Sequence, residues 1–312
     1  MKAYKINEKG KVNRINHINF NKEKTDLQKI VEDNLETIFN LKLVKSEFSI
    51  KNRQIDTLAF DDETKSFVII EYKIKKNSSL IDQGLAYLEK LLNNFADFKM
   101  IYYETMGKIP KKGDIDKSQS RIMFVSPYFT DLQLEATSFK DLPFELWKST
   151  KFENNMILFE QLEVSRNKES INPLFKSQPG KIKPEIEKDI KVYHEEDHLT
   201  NKNENIVNLY EELRDRILSE FEDIKLVPQK HYITFKYDNK NVISLEVQQS
   251  KLKIFVGMKK GTIKSNDKKL EINTKGHYGT GDYQYNLKPN DDIFEFLSIF
   301  KKSYDDKVKS QI

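Results

Sequence analysis

The first half of this chain reads as an α/β fold, and three observations predict it. An apolar stripe recurs at helical spacing over residues 25–38. Two apolar strand-like stretches, 54–60 and 67–73, flank a five-residue polar turn. A second helical pattern covers 79–96. At 312 residues the chain is long enough for two ordinary domains.

Taken in order, residues 3–15 alternate loosely around Lys9-Gly10 and predict an opening hairpin. Thr25 and Gln28 have the spacing of a capping box. Leu27, Ile30, Val31, Leu35 and Ile38 then form the stripe, with Gln28, Glu32 and Glu36 along one border, each a turn apart. Residues 54–60 and 67–73 predict paired strands, and the FVII run of the second suits a buried central strand. The helix over 79–96 turns Leu80, Gly84, Leu88, Leu91 and Leu92 inward. Residues 100–103 and 121–125 read as two further strands, the latter stopped by Pro127. A short helix at 130–136 and a hairpin at 144–162, turning at Asn154-Asn155, complete a first domain over 1–163.

From 164 to 203 the sequence is polar, contains Pro173, Pro179 and Pro184, and reads as a linker. Residues 204–312 read as a smaller α+β domain: a helix over 206–221, strands at 231–237, 242–247 and 251–258, a Gly-rich turn at 276–281 and a closing helix at 291–304.

Composition narrows the function. No apolar run approaches the roughly 20 residues of a membrane span. The opening MKAYKINEKG has no apolar stretch behind its charge, so a cytoplasmic protein is the default expectation. The absence of cysteine excludes disulfides, thiolate zinc sites and a cysteine nucleophile. With 53 Lys+Arg against 49 Asp+Glu the net charge is +4, so any surface for a nucleic acid has to be local.

One constellation carries chemistry. Glu71 and Lys73 stand two apart in a strand and so share a face; the turn at 61–65 can bring Asp56 beside them. Two carboxylates and water make an oxygen-rich site for Mg²⁺ or Mn²⁺. Such an ion offsets charge on a transferring phosphoryl group, and Lys73 suits the attacking water. The acidic-x-Lys triplet itself is common here, as in Glu63-Thr64-Lys65 and Asp97-Phe98-Lys99. Context separates Glu71-Tyr72-Lys73: charges ending a buried apolar run cost free energy unless paired or metal-bound. A structural ion-pair cluster is the plainer alternative. Gln83 and Tyr87 lie four apart on the next helix, and Lys75 and Lys76 follow the strand where phosphates could be met. His194 and His198 have zinc-helix spacing but no apolar face to anchor them.

The segments NRQIDTLAF, VIIEYK and DQGLAYL resemble the PD-(D/E)XK nucleases, and the Q-x-x-x-Y helix is similar to that of the RecB-type and archaeal-type branches. KEKTDLQKIVEDNLE resembles their first helix, where a Glu supports the metal; Glu32 is the expected residue, with Glu36 in reserve. The resemblance implies a restriction-endonuclease-like core, a mixed central sheet flanked by helices. It implies Mg²⁺ or Mn²⁺ held by Asp56, Glu71 and Glu32, and DNA as substrate, with RNA left open. Gln83 and Tyr87 would orient the site or contact nucleic acid. Relatives often carry Gly-Arg-Ile-Asp where this chain has Arg53-Gln54-Ile55-Asp56, so Arg53 receives no role. Residues 204–312 resemble a domain found behind such nucleases and sometimes labelled a predicted transport protein, through Leu209-Tyr210-Glu211-Glu212-Leu213 and His277-Tyr278-Gly279-Thr280-Gly281-Asp282.

The expected function is a metal-dependent endonuclease acting on DNA in restriction, anti-phage defence or repair. A homodimer, through the C-terminal domain, would supply two sites for two strands. Two other readings stand beside it: a catalytically silent nucleic-acid-binding module, and a partner- or ligand-sensing protein acting through its C-terminal domain.

Overall fold

The structure is a computed structural model that describes residues 2–50, 53–76, 79–109, 111, 113–137, 139, 141–162, 189–263, 270–272 and 280–309. It comprises two compact units, Met1–Val192 and Tyr193–Ile312.

The first unit opens with the hairpin β1 (Ala3–Ile6) and β2 (Val12–Ile15), then the short strand β3 (His17–Ile18). A π-helical turn, Glu23–Gln28, runs into α1 (Lys29–Asp33), and α2 (Leu35–Phe39) follows a break at Asn34. There follow β4 (Lys42–Ile50), β5 (Arg53–Asp61), β6 (Ser66–Tyr72), α3 (Leu80–Asn93) and α4 (Phe95–Met106). Then come β7 (Arg121–Ser126), α5 (Asp131–Thr137), β8 (Phe144–Phe152) and β9 (Ile157–Gln161). The sheet order is β3-β8-β7-β6-β5-β4, with β9 also on β8. Strands β4, β5 and β6 are antiparallel, whereas β6, β7 and β8 are parallel, so α3 and α4 form the crossover that a parallel pair requires.

Alternation along β6 builds both sides of this sheet. Phe67 and Ile69 join the core under α3 and α4, with Leu88, Leu91 and Phe98. Val68, Ile70 and Tyr72 join the core under α1 and α2, with Leu27, Val31 and Leu35. Burial of these five side chains contributes roughly 10 kcal/mol. That is enough to hold a carboxylate, Glu71, where burial costs several kcal/mol.

Three features depart from the sequence expectations. Residues 100–103 are not a strand but part of α4: Phe95, Phe98 and Tyr102 recur at helical spacing and set their rings 5.7, 6.0 and 6.0 Å from that of Phe67. Strand β4 was not foreseen, although buried Val44, Phe48 and Ile50 alternate with exposed Lys45, Glu47 and Ser49. The capping box at Thr25 and Gln28 is not made, because the helix begins two residues earlier and Gln28 is turned into the core.

At the start of β7, Arg121 bonds Asp61 at 2.9 Å and meets Glu145 at 2.6 Å, and Trp147 donates to Glu145. Arg121→Met is expected to lower stability by about 3 kcal/mol, because buried Asp61 and half-buried Glu145 lose their common cation. Urea denaturation measures it; a loss under about 0.5 kcal/mol would show the cluster to be solvated.

The second unit comprises α6 (Glu195–Leu199), α7 (Glu204–Glu220), strands β10 (Ile224–Pro228), β11 (Ile233–Tyr237), β12 (Lys240–Val247), β13 (Leu252–Val256), β14 (Leu270–Ile272) and β15 (Tyr283–Leu287), and α8 (Ile293–Lys309). The sheet is antiparallel in the order β10-β11-β12-β13-β15-β14. Alternate residues such as Ile233, Phe235, Ile243, Leu245, Ile254 and Tyr285 share one core with α7 and α8. Strands β10, β14 and β15 were not anticipated.

The described end of the expected linker is packed chain. Ile190 is buried in the core under α3 and α4, Lys117 pairs with Asp189, and Glu195 in α6 meets Arg214 of α7. The expected prolines 173, 179 and 184 and residues 276–279 of the Gly-rich turn lie outside the described residues.

Candidate active site

The pairing of β5 with β6 ends at Thr57 opposite Ile70. Two residues beyond Ile70, the Tyr72 N–H donates instead to a side chain, Asp56 Oδ2, at 3.1 Å. Ile55 and Leu58, three apart, both reach the same core, so strict alternation breaks around Asp56. The two strands thus part where the charged residues sit, and the aspartate occupies the opening.

Glu71 is 2% exposed and lies on the α3 side of the sheet. Its Oε1 accepts from Lys73 Nζ at 2.5 Å and from Gln83 Nε2 at 2.6 Å. Its Oε2 is buried with no hydrogen-bond partner. Gln83 also donates to the Tyr87 hydroxyl at 3.0 Å, which donates to the Gln54 carbonyl of β5 at 3.0 Å. A side-chain chain from α3 therefore ties the ends of β5 and β6 together. Lys73 further meets the Tyr72 carbonyl at 2.9 Å and Glu23 at 3.6 Å.

Electrostatics follow from this geometry. Burial, with Glu71 beside it, pushes the Asp56 carboxyl up to about 7, against the pull of the Tyr72 N–H and Lys73. Burial disfavours the Lys73 ammonium, but Glu71, Glu23 and Asp56 outweigh it and hold the amine above its ordinary value. Burial first, then Glu71, raise the Tyr87 phenol.

Asp56, Glu71, Lys73, Gln83 and Tyr87 thus gather at one place. Glu32 lies apart from that gathering: its carboxylate accepts from Thr57, from Ser46 at 2.9 Å and from Gln28 at 3.1 Å. Gln28 also reaches the Asp56 carbonyl at 3.2 Å, so Glu32 braces β5 from behind. Glu36 is exposed on α2, and Lys75 and Lys76 are exposed just beyond β6. His194 N–H donates to Asp197 at the start of α6, and the His198 ring meets the Gln229 carbonyl. Sequence reasoning missed Glu23, which accepts from Ile74 N–H while facing Lys73. Glu23 opens the π-helical turn 23–28, a winding that no local sequence rule announces.

A hard divalent cation fits this donor set. Glu71 offers a buried, unpartnered oxygen and Asp56 a second carboxylate. Among the described residues no group of three His, Cys, Asp or Glu side chains is ready to bind a metal. An ion held by two carboxylates would keep several waters, the habit of Mg²⁺.

Helix α3 owes its closeness to Gly84. A Cβ there would lie 2.6 Å from the Phe124 ring and 2.7 Å from that of Phe144. Gly84→Ala is expected to cost about 1–3 kcal/mol through overpacking and to draw the adjoining Gln83 away from Glu71. A thermal melt reads the first effect; an unchanged midpoint would show that the rings move aside freely.

Comparison places the chain among known proteins. An uncharacterized protein of Haemophilus influenzae (strain Rd) is 40% identical over 302 residues, spanning 96% of this chain and 98% of that protein. The chain belongs to the family of that protein. Residues 195–307 match a domain of unknown function, DUF5655. Among solved structures, an EndoMS–double-stranded DNA complex is similar at 19% identity over 39% of this chain and 43% of that one, with a TM-score of 0.22. SfsA of Pyrococcus furiosus, solved with Ca²⁺, is similar at 14% identity over 52% of this chain and 76% of that one, with a TM-score of 0.26. At these scores neither likeness adds weight to a function. Among the described residues no helix is long and apolar enough to cross a membrane.

Proposed function

We propose that the first unit is a divalent-metal-dependent phosphodiesterase of the PD-(D/E)XK type that cuts DNA. The observation that supports this most is Glu71: a buried carboxylate at the end of a central strand, with one oxygen held by Lys73 and Gln83 and the other unpartnered. A purely structural ion pair would have both oxygens satisfied, since an orphaned buried carboxylate oxygen costs about 1–3 kcal/mol or more.

Asp56 and Glu71 would hold the Mg²⁺ or Mn²⁺. When bound, the ion supplies Lewis acidity toward water and toward the phosphate oxygens. Gln83 and Tyr87 fix Glu71, and Gln28, Thr57 and Glu32 fix the backbone and flank of Asp56. Lys73, steadied between Glu71 and Glu23, orients the attacking water and meets negative charge at the scissile phosphate. Lys75 and Lys76 take adjoining phosphates.

The test is conversion of supercoiled plasmid to nicked or linear DNA in Mg²⁺ or Mn²⁺, abolished by a chelator. Intact plasmid, linear duplex and single strands in both ions would remove the nuclease reading and leave a binding module of the same fold.

A further inference from the structure

The first hairpin carries a net positive charge as large as that of the whole chain. Residues 2–15 carry Lys2, Lys5, Lys9, Lys11 and Arg14 against Glu8, a net of +4 that equals the formal charge of all 312 residues. The rest of the chain is balanced in sum, and this ribbon is one locally basic surface.

The hairpin is well formed yet lightly supported. Asn7 Oδ1 accepts from Lys9 and Lys11 N–H at 3.0 and 2.9 Å, and Gly10 adopts a φ of +72° that closes the turn. In the register, Ile6 faces Val12 and Tyr4 faces Arg14, so these four share one face. That face is open: Tyr4 is 51%, Ile6 69% and Val12 60% exposed. The opposite face carries Ala3 and Ile15, of which Ile15 is buried at the root.

The topology sets that root at the same end of the sheet as the candidate site, on the β8 edge. Strand β3, which follows directly, pairs with Lys151 and Phe152 of β8. These lie beyond the point where β8 runs alongside Ser126 of β7, and β6, β7 and β8 are parallel. The hairpin therefore springs from the same sheet end as Glu71 and Lys73. Tyr128, at that end of β7, also bonds Asn19 at 3.3 Å.

We propose that β1 and β2 form a DNA-docking ribbon that enters the major groove of a duplex and holds it against the site. Lysines at the tip and along the strands neutralise phosphates, and the Tyr4, Ile6, Val12 and Arg14 face meets base edges. The major groove of B-form DNA admits a two-stranded ribbon, with thymine methyls as apolar contacts; the deep, narrow groove of A-form RNA does not. The ribbon rests on the nuclease reading for its biological sense, but its binding is measurable without cleavage.

The experiment is duplex binding by the full chain in chelator across a salt series, with a 30-base-pair DNA of mixed sequence and an RNA duplex of the same length. In the variant Lys5→Ala, Lys9→Ala, Lys11→Ala, Arg14→Ala, affinity for DNA is expected to fall about 10-fold or more near 0.1 M salt, and the salt slope by about 2–4. A second variant, Tyr4→Ser, Ile6→Ser, Val12→Thr, is expected to bind more weakly with its slope unchanged. Both change exposed side chains and should melt as the parent does. Parental DNA affinity and slope in the first variant, equal affinity for RNA and DNA, or a wild-type chain that binds no duplex would each overturn the ribbon. So would a second variant that turns a dimer into a monomer without altering DNA binding, which would make the apolar face a contact between copies. Binding by the ribbon with no cleavage in Mg²⁺ or Mn²⁺ would sustain it while the nuclease reading fell.

Discussion

Metal-free Asp56→Asn protein is expected to melt at a higher temperature than the parent at pH 8, and at the same temperature near pH 4. Burial and the neighbouring Glu71 raise the Asp56 carboxyl to about 7, from about 3.8 in an unfolded chain. An acid whose pKa rises on folding holds its proton more tightly in the folded state. Its contribution is therefore complete below the unfolded value and is lost as pH climbs through about 7. Three units correspond to about 4 kcal/mol at most. Solvent near this partly buried group trims that to about 2–3 kcal/mol, or several degrees of melting temperature for a unit of this size. Asparagine keeps an acceptor for the Tyr72 N–H and removes the charge. The same linkage predicts that Mn²⁺ affinity of the parent rises with pH up to about 7 and then levels, with proton release below it, in calorimetry across buffers of different ionisation enthalpy. A melting temperature lowered by Asp56→Asn at pH 8 would mean that the carboxylate is stabilising where it stands, as in a structural ion pair.

The second large effect is on chemistry. Glu71→Gln preserves shape and the bond to Gln83, yet is expected to lower cleavage by about 10³-fold or more, close to 4 kcal/mol of transition-state stabilisation. Metal binding should be lost with it. Lys73→Met should separate the two functions, keeping metal binding while losing cleavage, because the lysine meets water and phosphate rather than the ion. Retained cleavage in Glu71→Gln would dismiss the carboxylate as a ligand. Loss of metal binding in Lys73→Met would mean that the ammonium positions Glu71 rather than the nucleophile.

The parts of this design legible in sequence are those written in short-range pattern. Alternation and the FVII run marked β6 because both sheet faces are covered, and the turn at 61–65 fixed β5 as its partner. Asp56, Glu71 and Lys73 were legible as neighbours because charges closing an apolar run demand partners nearby, whereas Gln83 and Tyr87 stood out by their spacing on the next helix and by the family resemblance. Other features depend on tertiary placement. Helix α4 hid behind the strand-like MIYY because its helical spacing shows only when Phe95 and Phe98 are included. Glu32 is the residue that the family resemblance implies, but the side chain facing Lys73 is Glu23, at the start of the π-helical turn 23–28, while Glu32 lies among Thr57, Ser46 and Gln28. No local rule announces a π turn. The hairpin at 3–15 was legible as structure, whereas its meaning came from where β3 fastens it to the sheet.

The most direct measurement is anomalous diffraction from a crystal of the full chain soaked in Mn²⁺. A peak is expected about 2–2.3 Å from Glu71 Oε2 and from an Asp56 carboxylate oxygen, with the remaining positions filled by water. Mn²⁺ bound elsewhere in the crystal, with Glu71 still closed on Lys73 and no peak beside it, would contradict the account.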